Sequence, residues 1–174
     1  MASDSTKSEG LLRRANKTDF ALVLDLYAVC RKHMADLGLD QWQDGYPFNS
    51  IIVQDISDQT LWISGQEELD AAIVVNKGVD PQHLQVNWQF EGAYRFIHRF
   101  AVHPNYWGQG LAKRIMEAAE FQMRREGVKC VRLDTYSLNK RNLSFYEKLG
   151  YSRADGLVYF EPHEAPFICF EKRL

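Results

Sequence analysis

The stretch from Tyr94 to Glu126 limits how the chain can fold more than any other. "YRFIHRFAV" (94–102) is dense in aromatic and β-branched residues and apolar on both sides, the pattern of a central strand. The period then changes. Ala112, Met116, Ala119 and Met123 form one stripe, with Leu111 and Ile115 beside it, which is the spacing of a helix packed on a core. Gly108 and Gly110 lie in the turn between the two patterns, and Gly127 is placed to end the helix.

A glycine turn at a helix N-terminus has a chemical use. Its backbone N–H groups have no helical partner, and the helix dipole adds partial positive charge. Glycine lets that backbone come close to a phosphate, where a Cβ would obstruct it. The same residues also suit a plain tight turn, and Gly-x-Gly alone does not separate the two. A Walker loop is excluded, because Leu111 and Ala112 follow Gly110 where Lys and Ser/Thr would be needed. The dinucleotide fingerprint lacks its third glycine, with Lys113 in that place, and the turn lies past the middle of the chain.

The remaining segments fill out an α/β domain. "LLRRA" (11–15) predicts a short first strand. Thr18 is placed to cap a helix through "FALVLDLYAVCRKHMADLG", with Leu22, Leu26, Val29 and Met34 near one face and Gly38 at its end. A loop carrying Trp42, Tyr46 and Pro47 comes next, then a second helix from Asn49 or Ser50 to about Ile56. "TLWISG" and "ELDAAIVVN" predict a hairpin. From Lys77 to Gly92 the pattern is irregular, with a short helix at Asp80–Pro81 and Trp88 further on. "VKCVRLDTY", "YSRADGLVYF" and "FICFEKRL" predict strands, and "NKRNLSFYEKLG" a helix closed by Gly150. These elements add up to a mixed sheet with helices on its faces.

Two separate blocks now resemble one family, the GNAT superfamily of N-acetyltransferases. After "FAVHP", Trp107, Gly110 and Ala112 stand at the places of its signature Gln/Arg-x-x-Gly-x-Gly/Ala. Asn139, Phe145, Tyr146, Gly150 and Tyr151 match the later Asn-x-x-Ala-x-x-Phe-Tyr-x-x-x-Gly-Phe, with Asn142 where alanine is common. The resemblance runs from about Leu11 to the end. It implies a mixed, mostly antiparallel sheet of about seven strands, helices on both faces and a splayed central strand pair holding the coenzyme. Residues 1–9 are then a tail and 10–174 one acetyltransferase domain.

The resemblance also assigns roles. Acetyl-CoA is the co-substrate. Its pyrophosphate would be cradled by amides of Gly108, Gln109, Gly110, Leu111 and Ala112, with Trp107 and Lys113 beside them. Its pantetheine arm would pair with Phe100, Ala101 and Val102. Trp107 departs from the family's Gln or Arg and removes one polar side-chain contact. Asn139, Asn142 and Tyr146, at helical spacing, would line the coenzyme channel. Tyr146, with an ordinary pKa of about 10, is the candidate acid for the leaving thiolate. His98, with an ordinary pKa of about 6.5, is the candidate base. Strand alternation puts Phe96, His98 and Phe100 on one side and Arg99 on the other. Trp42, Tyr46, Trp88 and Tyr94 are the expected acceptor-binding residues.

The implied function is transfer of acetyl to the primary amine of a small molecule. A peptide N-terminus as acceptor, and a non-catalytic acyl-CoA sensor, are the alternatives. A net charge of −2 over 174 residues gives no basic field for nucleic acid. No apolar run approaches the roughly 20 residues that span a bilayer. "MASDSTKSEG" lacks the apolar core of a signal peptide. Cys30, Cys130 and Cys169 form no CxxC, which suggests neither a metal site nor a disulfide framework, and fits a cytoplasmic protein. A homodimer is left open.

Overall fold

Seven strands form one sheet in the order β1-β2-β3-β4-β5-β7-β6. The computed structural model of the chain describes residues 10–42 and 44–174; the expected tail at 1–9 lies outside the described residues. The strands are β1 Arg13–Arg14, β2 Leu61–Gly65, β3 Leu69–Asn76, β4 Tyr94–Val102, β5 Cys130–Tyr136, β6 Ser152–Val158 and β7 Phe167–Arg173. Every pairing is antiparallel except β4 with β5, which is parallel. The expected mixed, mostly antiparallel sheet is present. Among the described residues no helix is long and apolar enough to cross a membrane.

Both faces of the sheet are covered, which is why β3 and β4 are apolar on both sides. On one face, α1 (Phe20–Asp36) and α2 (Asn49–Ser57) set Val23, Leu26 and Ile52 against Ala72, Val74 and Ala101. On the other, α3 (Leu111–Arg125) and α4 (Lys140–Lys148) set Ile115, Met116 and Tyr146 against Ile97, Leu133 and Phe170. Burying such a side chain contributes about 1.5–3 kcal/mol relative to leaving it in water.

Helix ends differ in detail from the sequence reading. Asn16, not Thr18, is the first cap. Its Oδ1 accepts the Thr18 N–H at 2.8 Å, and Asp19 accepts the Asn16 N–H at 2.8 Å. An extra 3-10 turn at Lys17–Asp19 thus precedes α1. The buried stripe of α1 is Val23, Leu26, Tyr27, Cys30 and Met34, while Val29 is 41% exposed, so the core-facing arc is rotated from the one expected. In α2, Asn49 is already helical, and the cap is Phe48 without a side-chain bond.

Two irregularities of β4 shape the middle of the sheet. His98 pairs with Val74 and Ala101 with Ala72, so Arg99 and Phe100 together oppose Ile73 in a β-bulge. Arg99 takes a φ of 47°, in the left-handed region. Such a backbone costs about 1–3 kcal/mol unless its surroundings hold it. Here the guanidinium bonds the Asp55 carboxylate at 2.8 and 2.9 Å, and the Tyr27 hydroxyl donates to the Arg99 carbonyl at 3.0 Å. The second irregularity is on the opposite edge. β4 and β5 pair from Tyr94↔Cys130 to Ile97↔Leu133 and then part.

Candidate active site

The parting of β4 and β5 opens a fork in the middle of the sheet. Two cavities reach it from different sides. One, of about 370 Å³, runs from the start of α3 along the end of β4 to α4. The other, of about 600 Å³, is lined by His98, Arg99 and Asp134 with the loops around 41–48, 78–80 and 160–163. Gln41, Trp42, Phe100, Asn142 and Tyr146 line both, so the cavities meet at these residues.

The first cavity has the chemistry of an anion cradle. Gly108 and Gly110 have φ of 76° and 78°, a region L side chains avoid, and a Cβ at either would project into open space. Gly110 is the N-cap of α3, so the free amides of the first turn face the groove. Lys113 and Arg141 add positive side chains to its lining. Phe100, Ala101, Val102, Leu111, Ala112, Asn139 and Asn142 line it, whereas Gln109 turns away and its side chain donates to the Asn105 carbonyl at 2.6 Å. Asn139 caps α4, its Oδ1 accepting the Asn142 N–H at 3.1 Å. The Asn142 side chain donates to the Thr135 hydroxyl at 3.3 Å, which fixes it across the fork.

Trp107 keeps a polar role. Its indole N–H donates to the Val102 carbonyl at 2.7 Å and ties the glycine turn back to β4. The Cys30 thiol approaches the same carbonyl at 3.4 Å, so that oxygen is no longer open to a pantetheine arm. The ring lies edge-on to His33 and carries the Arg141 guanidinium 4.2 Å from its centroid. Burial pushes the Cys30 thiol up to about 12, which leaves it protonated and unreactive at neutral pH.

Tyr146 is 5% exposed and packs against Phe145, Tyr151 and Phe170. Burial, and next the charge of Asp134, raise its hydroxyl above the ordinary value, so it holds its proton across the neutral range. Among the described residues the hydroxyl has no hydrogen-bond partner.

His98 lies on the opposite face, stacked on Phe96 with ring centroids 5.6 Å apart. Its Nε2 is 3.2 Å from the Gly78 carbonyl, an acceptor, so Nε2 carries the hydrogen and Nδ1 keeps its lone pair. Desolvation lowers its pKa below the ordinary 6.5; Asp134 and the Gly78 carbonyl oppose that, and Arg99 and His83 add to it. The imidazole is therefore neutral at pH 7.

The bulge corrects the expected alternation. His98 and Arg99 both line the second cavity, while Phe100 crosses to the α4 face and packs on Phe145 at 6.4 Å. Trp42 and Tyr46 line the second cavity. Trp88 and Tyr94 line neither; they hold the Arg132 guanidinium between their rings, at 4.6 and 4.4 Å. Sequence reasoning does not find His83, which is 2% exposed with Nε2 3.0 Å from Asp134 Oδ2. A single histidine in an irregular segment carries no periodic signal. Arg141 is likewise missed, although its place in the first turn of α4 points it at the groove. Among the described residues no group of three or more His, Cys, Asp or Glu side chains is placed to hold a metal ion.

A family model described as the acetyltransferase (GNAT) family matches residues 34–151, well over half of the chain. Among solved structures, a GNAT-family acetyltransferase from Streptococcus agalactiae is similar with a TM-score of 0.79 and 24% identity, over 94% of each chain. A GNAT-family acetyltransferase from Listeria monocytogenes gives 0.73 and 22%, again over 94% of each chain. The PaiA N-acetyltransferase from Thermoplasma acidophilum, solved with coenzyme A, gives 0.62 and 16%, over 94% of this chain and 98% of that one. No curated protein matches the chain.

Proposed function

The chain belongs to the GNAT family of acetyltransferases, and from that premise we propose that it moves an acetyl group from acetyl-CoA to the primary amine of a small molecule by direct attack on the thioester. The observation that carries this reading is the fork, where an anion-cradling groove and an acceptor cavity meet at Tyr146 with His98 on the far side.

Bound acetyl-CoA supplies the activated thioester. The amides of Gly108, Gly110, Leu111 and Ala112 would hold its pyrophosphate, with Lys113 and Arg141 adding charge. In the acceptor cavity, Nδ1 of His98 takes the proton of the incoming ammonium, directly or through one water. As the C–N bond forms and the C–S bond breaks, the Tyr146 hydroxyl gives its proton to the departing sulfur, and the second proton lost by the acylated nitrogen restores that hydroxyl. Each group starts in the protonation state its task needs.

The cavity's size supports a small acceptor. About 600 Å³ falls within the range of small-molecule sites. One side is closed where the His163 ring lies between the Phe160 and Asp40 carbonyls, 3.0 Å from each, bridging two loops. The three free, buried cysteines fit a reducing compartment such as the cytoplasm.

Free-thiol release from acetyl-CoA, measured with a panel of small amines and peptides bearing free N-termini, tests the reading. Release is expected with small amines in preference to peptides. Coenzyme A binding without thiol release above background for any acceptor would make the chain a sensor, and faster release with peptides would reverse the choice of acceptor.

A further inference from the structure

We propose that Asp134, held by His83, anchors the ammonium group of the acceptor, so that the acceptor is a strongly basic alkylamine which arrives charged. The proposal rests on the acetyl-transfer reading for its chemistry but stands on its own observations.

The β4–β5 register ends at Ile97↔Leu133. The next residues on the two strands are His98 and Asp134, so both come at the mouth of the fork and share the face of Phe96. The Asp134 side chain keeps 16% exposure and lines the acceptor cavity. One of its oxygens, Oδ2, accepts from His83. Among the described residues Oδ1 accepts no hydrogen bond, and it is not sealed from solvent, so it is free to accept from a ligand.

His83 makes sense only through this contact. Its side chain is 1% exposed and lies among the rings of Phe96, Phe160 and Trp88, at 4.8, 5.8 and 6.4 Å. Nδ1 is buried without a partner. An apolar side chain would fill such a box without stranding a polar atom. What the imidazole adds is the Nε2–H bond that fixes one oxygen of Asp134 and turns the other toward the fork. His83 is thus a positioning residue, and Asp134 is the group that touches the acceptor.

The charge balance around the fork agrees. Arg99, the cation in the cavity wall, is already paired with Asp55 at 2.8 Å. Asp44, Asp80 and Glu161 are further carboxylates of the lining. An entering ammonium therefore meets a negative site, with His98 next to its anchor to take the proton.

The test uses 2-phenylethylamine as a basic probe and aniline as a weakly basic one, with thiol release at saturating acetyl-CoA and calorimetry of each amine against the coenzyme A complex. Asp134→Asn is expected to raise KM for phenylethylamine by about tenfold or more and that for aniline by less than about twofold. KM for acetyl-CoA should not change. His83→Phe, which fills the box but cannot donate, should raise KM for phenylethylamine by roughly threefold or more. His83→Gln, whose amide nitrogen can donate from the place of Nε2, should restore it to within about twofold. Wild-type KM in Asp134→Asn or in His83→Phe, or a His83→Gln variant as impaired as His83→Phe, would overturn the proposal. If the wild-type protein binds coenzyme A but releases no thiol, the transfer reading fails. The anchor is then judged by calorimetry: loss of phenylethylamine binding in Asp134→Asn upholds it, and a wild-type complex that does not bind phenylethylamine refutes it.

Discussion

At the scale of single residues, the proposed mechanism divides the proton traffic between Tyr146 and His98. The Tyr146 hydroxyl matters when charge develops on sulfur, so its loss belongs to the transition state. Tyr146→Phe should lower kcat by about 10²–10⁴-fold and leave KM for acetyl-CoA near its wild-type value. Single-turnover measurements check this; a variant with nearly full chemistry would assign Tyr146 to packing alone. His98 must be neutral to act. Because burial lowers its pKa, the acidic limb of kcat/KM should inflect below 6.5, with the rate lost as pH falls through the folded-state value. His98→Gln keeps polarity and approximate size but cannot take a proton, and should remove that limb. The same limb in the variant, with basic and weakly basic amines alike, would show that another group titrates. Tyr146 stands out in the sequence only through the family's Phe-Tyr motif, since helical spacing from Asn139 and Asn142 alone would suit a packing residue equally well. His83 is not, because its importance comes from a contact 51 residues away with Asp134. The displacement of Trp88 and Tyr94 from the acceptor wall is equally unreadable, since it depends on where Arg132 sends its guanidinium.

Among the elements, the turn into α3 carries the sharpest expectation. Gly110→Val would place a β-branched residue at a φ of 78° and add bulk at a residue that lines the groove. Coenzyme A affinity should fall by about tenfold or more, or ~1.4 kcal/mol. Calorimetry on the folded variant checks it, and unchanged affinity would remove the turn from the binding site. The start of α1 makes a different prediction. The Arg13 hydrogen bond chiefly, helped by the Asn16 N–H, lowers the Asp19 pKa below the ordinary 3.8, against the effect of burial. Its stabilising contribution is present above 3.8 and is lost as pH falls through the lower folded value. Asp19→Asn should cost about 1–2 kcal/mol at neutral pH, allowing for the half-exposed Arg13, and flatten that part of the acid unfolding curve. Urea unfolding across pH would show it, and curves that stay parallel down to the acid limit would contradict it. Periodicity and terminal glycines make α3 and α4 legible nearly to the residue. The bulge at Arg99 is hidden because an extra residue in a strand leaves composition and hydrophobicity unchanged while reversing every side chain after it.

For the molecule as a whole, the two motif-bearing blocks of sequence make the fold legible because each is a complete strand–turn–helix or helix–turn unit with its own stop signals. Where β4 and β5 part is not legible, since both strands keep their β character beyond Ile97 and Leu133. That parting has a consequence for steady-state kinetics. The two cavities meet at the fork, each with its own lining beyond the shared residues, and the Cys30 thiol in the wall of the first is too weakly acidic to store an acetyl group. Neither reactant has to leave before the other arrives. Double-reciprocal plots of initial rate at several fixed amine concentrations should intersect, and free coenzyme A should compete with acetyl-CoA but not with the amine. Parallel lines would mean a covalent acetyl-enzyme and would contradict direct attack on the thioester.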